Sequence, residues 1–340
     1  MSYGVTQWPT RQGVHPADHT PLDVNRRIVA TRKGLHQMHI HTPEGMSAVR
    51  VERRIGDVSI GAIGLGTQNL SVPGRPERAT AIATVHAALD SGVTFFDSSD
   101  AYTTEQDGQG HNELLVAEAL KRYDGDTSKV ILSTKGGLIY RDGAMWIRNG
   151  APAYLKEAAK ASLKRIGGDA LDLYHFHKKD PNHDFGDSIT ALRDLLDEGI
   201  IKRAGVSNVD LDEILLAQEI LDGRLSSIEN HFSIGHRGQQ AEMEYAAANG
   251  IAYLLWGPLG GLGGAASIAE RHPALGRISI ERGVSPQRVA LAWELRQSST
   301  VVPIPGAVSP EQAADSAAAS SLVLSDDEVA RLDSDTGQDA

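Results

Sequence analysis

Four side chains, each at or just after the end of an apolar segment, are of the types that transfer protons. Asp97 ends the segment 93–97 and Tyr102 follows in a polar stretch, while Lys135 and His177 end the segments KVILSTK and LDLYHFH. An ammonium near a phenol lowers the phenol pKa, which is about 10 in a free side chain, and a carboxylate would hold that ammonium. The set predicts a site that protonates an oxygen atom, although Asp97 and Tyr102 could also be an ordinary strand end and a surface aromatic residue.

Composition limits the class of protein. The chain has 340 residues, no cysteine, 41% hydrophobic residues and a net charge of −11. The lack of cysteine excludes disulfides, thiolate metal sites and cysteine nucleophiles, and the acidic balance argues against nucleic acid or an anionic membrane as the main partner. No apolar run approaches the ~20 residues of a membrane span, and no signal-peptide core is found. We expect a cytoplasmic protein that acts on a small molecule, of undetermined oligomeric state.

A unit of apolar strand, polar loop and amphipathic helix occurs eight times along the chain. Residues 1–50 lack this pattern and are predicted to be a poorly ordered N-terminal extension, whereas residues 51–60 predict a β-hairpin around Gly56-Asp57. The glycine-containing segment 136–150 is predicted to be a loop, and an extra helix is expected at 267–282. The eight predicted strands are 60–67, 93–97, 129–135, 171–177, 201–206, 226–230, 251–256 and 300–304.

Eight such units with no linker between them predict a single closed (β/α)8 barrel of the α/β class, spanning residues 51–335. An N-terminal β-hairpin and extra C-terminal helices would be added to it, and Ser325-Asp326-Asp327-Glu328 has the spacing of a capping box. An open doubly wound sheet that binds a dinucleotide would carry G-x-G-x-x-G after its first strand, and the sequence lacks this motif. In a barrel the carboxyl ends of the strands converge, so Asp97, Lys135 and His177 would meet at one mouth.

Six motifs, in order and on consecutive units, resemble the aldo-keto reductase superfamily: FFDSSDAY, LSTKGG, DLYHFH, GVSN, WGPLGG and PIPGAVSPEQ. The likeness covers residues 52–332. It implies a (β/α)8 oxidoreductase that binds NADP or NAD without a Rossmann domain and reduces an aldehyde or ketone to an alcohol. By this likeness Tyr102 is the general acid and base, and Asp97, Lys135 and His177 complete a catalytic tetrad.

The same likeness implies where the cofactor binds. Ser207, Asn208 and Glu229 would contact the carboxamide of the nicotinamide, and Trp256 would stack on its ring. The glycine-rich segment after Trp256 would run under the pyrophosphate, and the segment 305–316 would hold the adenosine end at a helix N-terminus, which suits phosphate. The further cofactor-binding residues implied by the resemblance are Gly66, Thr67, Asp97, Gly257, Pro258, Leu259, Gly261, Ile304, Gly306, Val308, Ser309, Gln312, Asp315 and Ser316.

The sequence departs from the family pattern at positions that concern the cofactor. Glu229 stands where the family often has Gln, Trp256 where it usually has Tyr, and the loop 102–110 is longer than usual. The Arg that meets the 2′-phosphate of NADP typically falls near Val308 or Ser309, and neither residue is basic. NAD is therefore a credible cofactor, although the resemblance slightly favours NADP.

Other functions remain open on the sequence. An NAD-dependent alcohol or sugar dehydrogenase would have the same fold and run the reaction in the opposite direction. A third possible function is that of a regulatory subunit, a barrel that binds the cofactor without serving mainly as an enzyme. A metal-dependent barrel hydrolase is also conceivable, because the two histidines of an H-x-H pair share one face of a strand. Such a hydrolase would be expected to carry the H-x-H pair on its first barrel strand, and the first predicted strand here lacks it. The resemblance to the aldo-keto reductases also implies no metal. The candidate ligands would be His175, His177, Asp97, Lys135, His183 and His231.

The substrate is not decided by the sequence. The expected lining mixes aromatic and polar groups, so a sugar-like carbonyl compound fits as well as a simple aldehyde. The walls of the substrate pocket are expected to come from Gln68, Asn69, Tyr140, Trp146, Arg148, the loop 178–186 and the segment 232–237.

Overall fold

A computed structural model describes residues 52–141 and 144–337 of the chain, so the predicted extension at 1–50 lies outside the described residues. The chain there begins with an antiparallel β-hairpin of β1 (Glu52–Ile55) and β2 (Val58–Gly61). Gly56 occupies its turn with a φ of +56°, a conformation that glycine adopts without strain. The predicted hairpin is therefore present, and its turn falls at the predicted Gly56-Asp57.

Eight parallel strands follow, each paired with its neighbour in the sheet. They are β3 (Leu65–Gly66), β4 (Phe95–Asp97), β5 (Ile131–Gly136), β8 (Leu173–Phe176), β9 (Ala204–Ser207), β10 (Leu225–His231), β11 (Ala252–Trp256) and β12 (Val301–Pro303). Between β5 and β8 lies a separate antiparallel pair, β6 (Leu138–Arg141) and β7 (Ala144–Arg148).

Hydrogen bonds between the first and last strands close the sheet into a barrel. The amides of Gly64 and Gly66 donate to the carbonyls of Pro303 and Pro305 at 2.9 and 3.0 Å. A Cβ at Gly66 would lie 2.7 Å from the carbonyl oxygen of Ile304, so only glycine permits this approach. The (β/α)8 barrel predicted from the sequence is thereby confirmed.

The hairpin contributes to the core at the amino-terminal ends of the strands. Ile55 and Ile60 are buried in one cluster with Phe95, Ile131 and Leu173, which begin three of the barrel strands. The hairpin therefore covers the end of the barrel opposite to the carboxyl ends. This leaves the carboxyl-terminal mouth as the open end, where barrel enzymes place their sites.

Helices pack around the outside of the barrel. Side-chain oxygens of Ser285, Ser309 and Ser325 accept hydrogen bonds from amides in the first turns of the last three helices, and Ser325 with Glu328 forms the predicted capping box. The helices are α1 (Arg78–Asp90), α2 (His111–Lys121), α3 (Pro152–Ile166), α4 (Phe185–Asp197), α5 (Leu211–Ile220), α6 (Gln240–Asn249), α7 (Ile268–Arg271), α8 (Pro273–Arg282), α9 (Pro286–Glu294), α10 (Pro310–Ala317) and α11 (Asp326–Asp333). None of the helices at 52–141 and 144–337 is long and apolar enough to cross a membrane.

Three predicted elements differ from the structure. The first strand, predicted at 60–67, shortens to Leu65–Gly66, because Ile60 and Gly61 pair within the hairpin. The segment 136–150, predicted as a loop, contains β6 and β7, whose aliphatic and aromatic residues favour strands. The helix predicted at 267–282 is interrupted at His272, because the residue before a proline disfavours the helical conformation.

Candidate active site

The four residues predicted to transfer protons lie at the carboxyl-terminal mouth of the barrel. Asp97 is the last residue of β4, Lys135 is near the end of β5, and His177 directly follows β8. Tyr102 comes from the loop after β4. A cavity of about 1000 Å³ opens here, and Asp97, Tyr102 and His177 line it. Lys135 is fully buried among them, so it acts on the cavity through its neighbours.

Lys135 and Asp97 form a buried, hydrogen-bonded ion pair. Nζ of Lys135 donates to Oδ2 of Asp97 and, at 3.1 Å, to the carbonyl of Ser98. Oδ1 of Asp97 accepts from Oγ of Ser133 at 2.6 Å. Charges removed from water are costly unless they are paired and hydrogen-bonded. These bonds fix the ammonium and the carboxylate in a single arrangement.

Glu229 supplies a second carboxylate to the same ammonium. Its Oε2 lies 3.3 Å from Nζ of Lys135, and its side chain is buried at the cavity wall. Burial and the charge of Asp97 raise the pKa of Glu229 to about 8, although Lys135 opposes this rise. Burial lowers the pKa of Lys135, but the charges of Asp97 and Glu229 outweigh it and hold that pKa above its ordinary value. Lys135 is therefore cationic.

Tyr102 lies next to the ammonium, yet its phenol keeps its proton more tightly than a free tyrosine. Nζ of Lys135 is 5.4 Å from the centroid of the Tyr102 ring. Burial raises the pKa of Tyr102 well above 10, and Lys135 lowers it by less than burial raises it. Lys135 therefore lowers the phenol pKa as predicted, but in the protein without ligands burial outweighs this effect. A neutral phenol that contacts a cation is suited to donate a proton rather than to accept one.

His177 completes the cluster as a neutral imidazole. Its ring stands edge-to-face with Tyr102, at 5.7 Å between centroids and 83° between planes. Burial and the charge of Lys135 hold the pKa of His177 well below its ordinary value. Nδ1 lies 3.2 Å from Oγ of Ser99, which leaves Nε2 for a ligand. A neutral ring can still donate one hydrogen bond.

The cavity extends from this cluster to the amino-terminal end of α10. Asn208 has a φ of +58°, and its Nδ2 donates to the carbonyl of His177 and to Oγ of Ser207, each at 3.0 Å. The cofactor residues predicted by resemblance that line this cavity are Gly66, Asp97, Ser207, Asn208, Glu229, Trp256, Gly257, Pro258, Leu259, Gly261, Ile304, Gly306, Val308, Gln312, Asp315 and Ser316.

Two residues of the predicted cofactor set lie off the cavity. Oγ1 of Thr67 donates to the carbonyl of Asp97 at 2.7 Å, so this hydrogen bond holds the end of β4 in place. Oγ of Ser309 accepts from the amide of Gln312 and caps α10. Both side chains are therefore structural supports of neighbouring cavity residues, and neither lines the cavity itself.

The middle of the cavity fits an extended planar and anionic group. Trp256 stacks on His231 at 4.3 Å between ring centroids, which holds the indole flat, and its buried Nε1 has no hydrogen-bond partner in the described part of the chain. Gly257, Gly261 and Gly263 have positive φ angles, and such turns let backbone amides approach a ligand closely. A dinucleotide is compatible with this lining: a ring beside Trp256 and phosphates along the glycines.

The far end of the cavity carries acidic side chains. Glu311, which lies within the segment 305–316 predicted to hold the adenosine end, lines it together with Asp315. Arg288, the nearby cation, binds Asp315 through Nε at 3.1 Å, and Oγ of Ser285 donates to the same carboxylate. The sequence from 304 to 316 contains no Lys or Arg. This end therefore presents carboxylates rather than free cations.

The residues proposed for a metal site divide into separate groups. Asp97, His175 and Glu229 could place donor atoms within 4.8 Å of one another, but the ammonium of Lys135 lies against both of these carboxylates. His183 is instead bound to Asp180 at 2.8 Å. The position that a cation would take between the carboxylates is therefore filled by a side chain.

The substrate end of the cavity agrees in part with the predicted walls. Gln68, Asn69, Trp146 and Arg148 line it, as does Lys178 at the start of the predicted loop. The prediction fails for Tyr140 and for the segment 232–237, which lie off the cavity. The ring of Phe232 instead stacks on Trp293 at 5.9 Å in the core. Ser99 and Ser133, which hold His177 and Asp97, were also missed, because a serine beside a strand end carries no distinctive sequence signal.

The fold and the cluster at its mouth define a barrel enzyme of the oxidoreductase class. A sequence profile described as "Aldo/keto reductase family" matches residues 59–335. The chain therefore belongs to the aldo/keto reductase family and is an NAD(P)-dependent oxidoreductase.

Relatives of known sequence or structure agree with this membership. The chain is 30% identical over 289 residues to pyridoxine 4-dehydrogenase of Escherichia coli, covering 82% of this chain and 96% of the relative. It is 28% identical to an uncharacterized oxidoreductase of Schizosaccharomyces pombe, covering 82% and 88%. It superposes on an aldo/keto reductase from Klebsiella pneumoniae, solved with NADP and acetate, with a TM-score of 0.70 and 26% identity, covering 84% and 95%.

Proposed function

We propose that this protein reduces an aldehyde or ketone to an alcohol with a nicotinamide cofactor, and that Tyr102 is the proton donor. The observation that carries the proposal is the meeting of Tyr102, Lys135, Asp97 and His177 at one end of a cavity that accommodates a dinucleotide. Family membership supports the same chemistry, since the family acts on carbonyl compounds.

Each residue of the cluster has a distinct task in this mechanism. The nicotinamide, when bound, supplies the hydride that reaches the carbonyl carbon. Tyr102 donates its phenolic proton to the carbonyl oxygen, and His177 offers Nε2 as a second hydrogen-bond donor to that oxygen. Lys135 stabilises the phenolate that remains, and Asp97 holds the ammonium in position. The cluster is buried, which strengthens these electrostatic interactions.

The unliganded protein is in the protonation state from which reduction starts. Burial keeps the Tyr102 phenol protonated, because its pKa lies well above 10. Oxidation of an alcohol would use the same site in reverse, with the phenolate beside Lys135 as the base. The relative named pyridoxine 4-dehydrogenase makes the oxidative direction the second candidate.

We further propose NAD as the preferred cofactor, against the slight preference for NADP that resemblance alone suggested. A 2′-phosphate at the far end of the cavity would meet Glu311 and Asp315, and Arg288 is occupied by Asp315. Carboxylates instead accept hydrogen bonds from the hydroxyls of an unmodified ribose. The Klebsiella pneumoniae relative was solved with NADP, so the preference would be a property of this chain rather than of the family.

Transfer of a labelled hydride tests the proposal directly. The purified protein would be incubated with butanal and with NADH or NADPH that carries deuterium at both C4 positions, and mass spectrometry would locate the label in the product. Deuterium on the carbinol carbon is the expected result, and an alcohol without label would refute hydride transfer.

A titration with each cofactor, monitored by tryptophan fluorescence, would give the two dissociation constants for the wild type and for Trp256→Ala. Binding of neither cofactor would overturn the function altogether.

A further inference from the structure

Two cationic side chains face the substrate end of the cavity in a protein that is acidic overall. Arg148 at the end of β7 and Lys178 directly after His177 both line the cavity near Tyr102, while the whole chain has a net charge of −11. Like charges that share one wall repel each other. Arg148 is exposed and Lys178 is half-buried, so water screens part of this repulsion, and a negative group bound at this wall would remove the rest.

Neither cation is neutralised by a carboxylate of the described chain. The ion pairs of residues 52–141 and 144–337 include no partner for Arg148 or Lys178, and Nη1 of Arg148 donates only to the carbonyl of Lys179 at 3.4 Å. Burial, and secondarily the charge of Arg148, lowers the pKa of Lys178. This direction indicates that the ammonium is partly desolvated and feels the guanidinium.

Two acidic side chains close to this wall, Asp180 in the loop after Lys178 and Glu213 in α5, bind other groups. Asp180 accepts hydrogen bonds from the amides of Gly150 and Asn182 and from His183, which occupy both of its oxygens. Glu213 lies against the neighbouring Lys179 at 2.5 Å. The local carboxylates therefore leave the two cavity cations free for a ligand.

We propose that the substrate is an aldehyde or ketone that carries a carboxylate or a phosphate, and that Arg148 and Lys178 bind this anionic group. The proposal rests on the carbonyl reduction proposed above and specifies its substrate class. The guanidinium presents several donors in a fixed plane and the ammonium is a point charge, a combination that suits an oxyanion with two or three acceptor oxygens. Binding of the anion would fix the substrate while Tyr102 and His177 receive the carbonyl oxygen.

Matched substrate pairs separate this inference from the proposed function. Succinic semialdehyde would be compared with butanal, and glyceraldehyde 3-phosphate with glyceraldehyde, by kcat/KM under saturating cofactor. We expect at least one anionic member to exceed its neutral partner by roughly 10-fold or more, and the preference to fall as NaCl is raised. The pair with the larger ratio identifies the group as a carboxylate or a phosphate.

Variants assign the preference to the two cations. Lys178→Met and Arg148→Met should each reduce the anionic-to-neutral ratio of kcat/KM by roughly 10-fold, mainly through KM. Lys178→Gln, which keeps a polar side chain, should show the same loss. An unchanged melting temperature of each variant would show that the loss is not caused by misfolding. Lys179→Met is the matched control: this exposed neighbour pairs with Glu213 outside the cavity, and its ratio should equal that of the wild type.

The outcomes are distinct. Equal turnover of neutral and anionic members by the wild type would overturn the inference and leave the carbonyl reduction intact. An anionic preference that survives in both cation variants would overturn the assignment to Arg148 and Lys178. No turnover of any carbonyl compound with either cofactor would overturn the proposed function and this inference with it.

Discussion

Oε2 of Glu229 lies 3.3 Å from Nζ of Lys135, deep in the wall of the cavity. Asp97 binds the same ammonium, so two carboxylates and one cation share a buried space. Such a group has an excess negative charge unless one carboxylate takes a proton. The pKa of Glu229, raised to about 8 by burial and by Asp97, indicates that Glu229 is the protonated member near pH 7.

Glu229→Gln should change how stability depends on pH. The pKa of Glu229 is about 4.5 when exposed and about 8 when folded, so between these values the folded state retains a proton that the unfolded state releases. The contribution of Glu229 to wild-type stability therefore falls as pH rises from 5 to 8. Because Gln has no proton to lose, the variant should become progressively more stable than the wild type as pH rises, by several °C in Tm at pH 9, and match it near pH 5.

Thermal unfolding of both proteins from pH 5 to pH 9 would check this expectation. Glu52→Gln is the control, because Glu52 is exposed in the amino-terminal hairpin, which is a separate sheet from the one that contains Lys135. A difference between Glu229→Gln and the wild type that stays constant with pH would contradict a protonated Glu229.

Lys135→Met should cost both stability and turnover. The substitution leaves the Asp97 carboxylate buried without its counter-charge, and removal of one member of a buried ion pair typically destabilises by about 3–5 kcal/mol. It also removes the cation that stabilises the Tyr102 phenolate. Chemical denaturation and steady-state reduction of butanal would measure the two losses.

The double variant Lys135→Met/Asp97→Asn separates the two effects. Neutralising the carboxylate that has lost its counter-charge should restore part of the stability, while turnover should stay low because the cation is still absent. Recovery of turnover together with stability would mean that Lys135 has only a structural task.

Tyr102→Phe should abolish proton donation while keeping the shape of the cavity. We expect turnover to fall by roughly 100-fold or more, the range attributed to a general acid, with little change in the dissociation constant of NADH. Tyr140→Phe serves as the matched control, because Tyr140 lies off the cavity. Turnover retained in Tyr102→Phe would exclude Tyr102 as the acid.

Cofactor preference should respond to a cation at the far end of the cavity. Gln312→Arg places a guanidinium on the cavity wall in the first turn of α10, and we expect the Kd ratio of NADPH to NADH to fall by roughly 10-fold. Ser309→Arg should shift the ratio less and lower Tm, because Ser309 caps α10 rather than lining the cavity. Fluorescence titrations with both cofactors would measure the ratios, and no shift in either variant would place the 2′-phosphate elsewhere.

Much of the architecture was predictable because it depends on local periodicity. The alternation of buried strands and amphipathic helices repeats along the chain, and a closed parallel barrel is the arrangement that eight such units form. That closure explains why Asp97, Lys135 and His177 could be grouped from sequence: residues at the carboxyl ends of neighbouring parallel strands must meet. The hairpin of β6 and β7 was not predicted, because glycines are typical of loops and this segment contains several. In the structure the hairpin packs at the mouth of the barrel, where Nε1 of Trp146 donates to the carbonyl of Ala101.

The sequence by itself determined the barrel, the identity of the residues at its mouth and the absence of basic residues from 304 to 316. Only the tertiary structure decided their electrostatics. Burial raises the pKa of Tyr102 despite the nearby ammonium, Glu229 shares Lys135 with Asp97, and Lys178 joins Arg148 at the cavity. These properties depend on desolvation and on distances between residues far apart in the chain, and neither quantity is contained in local sequence patterns.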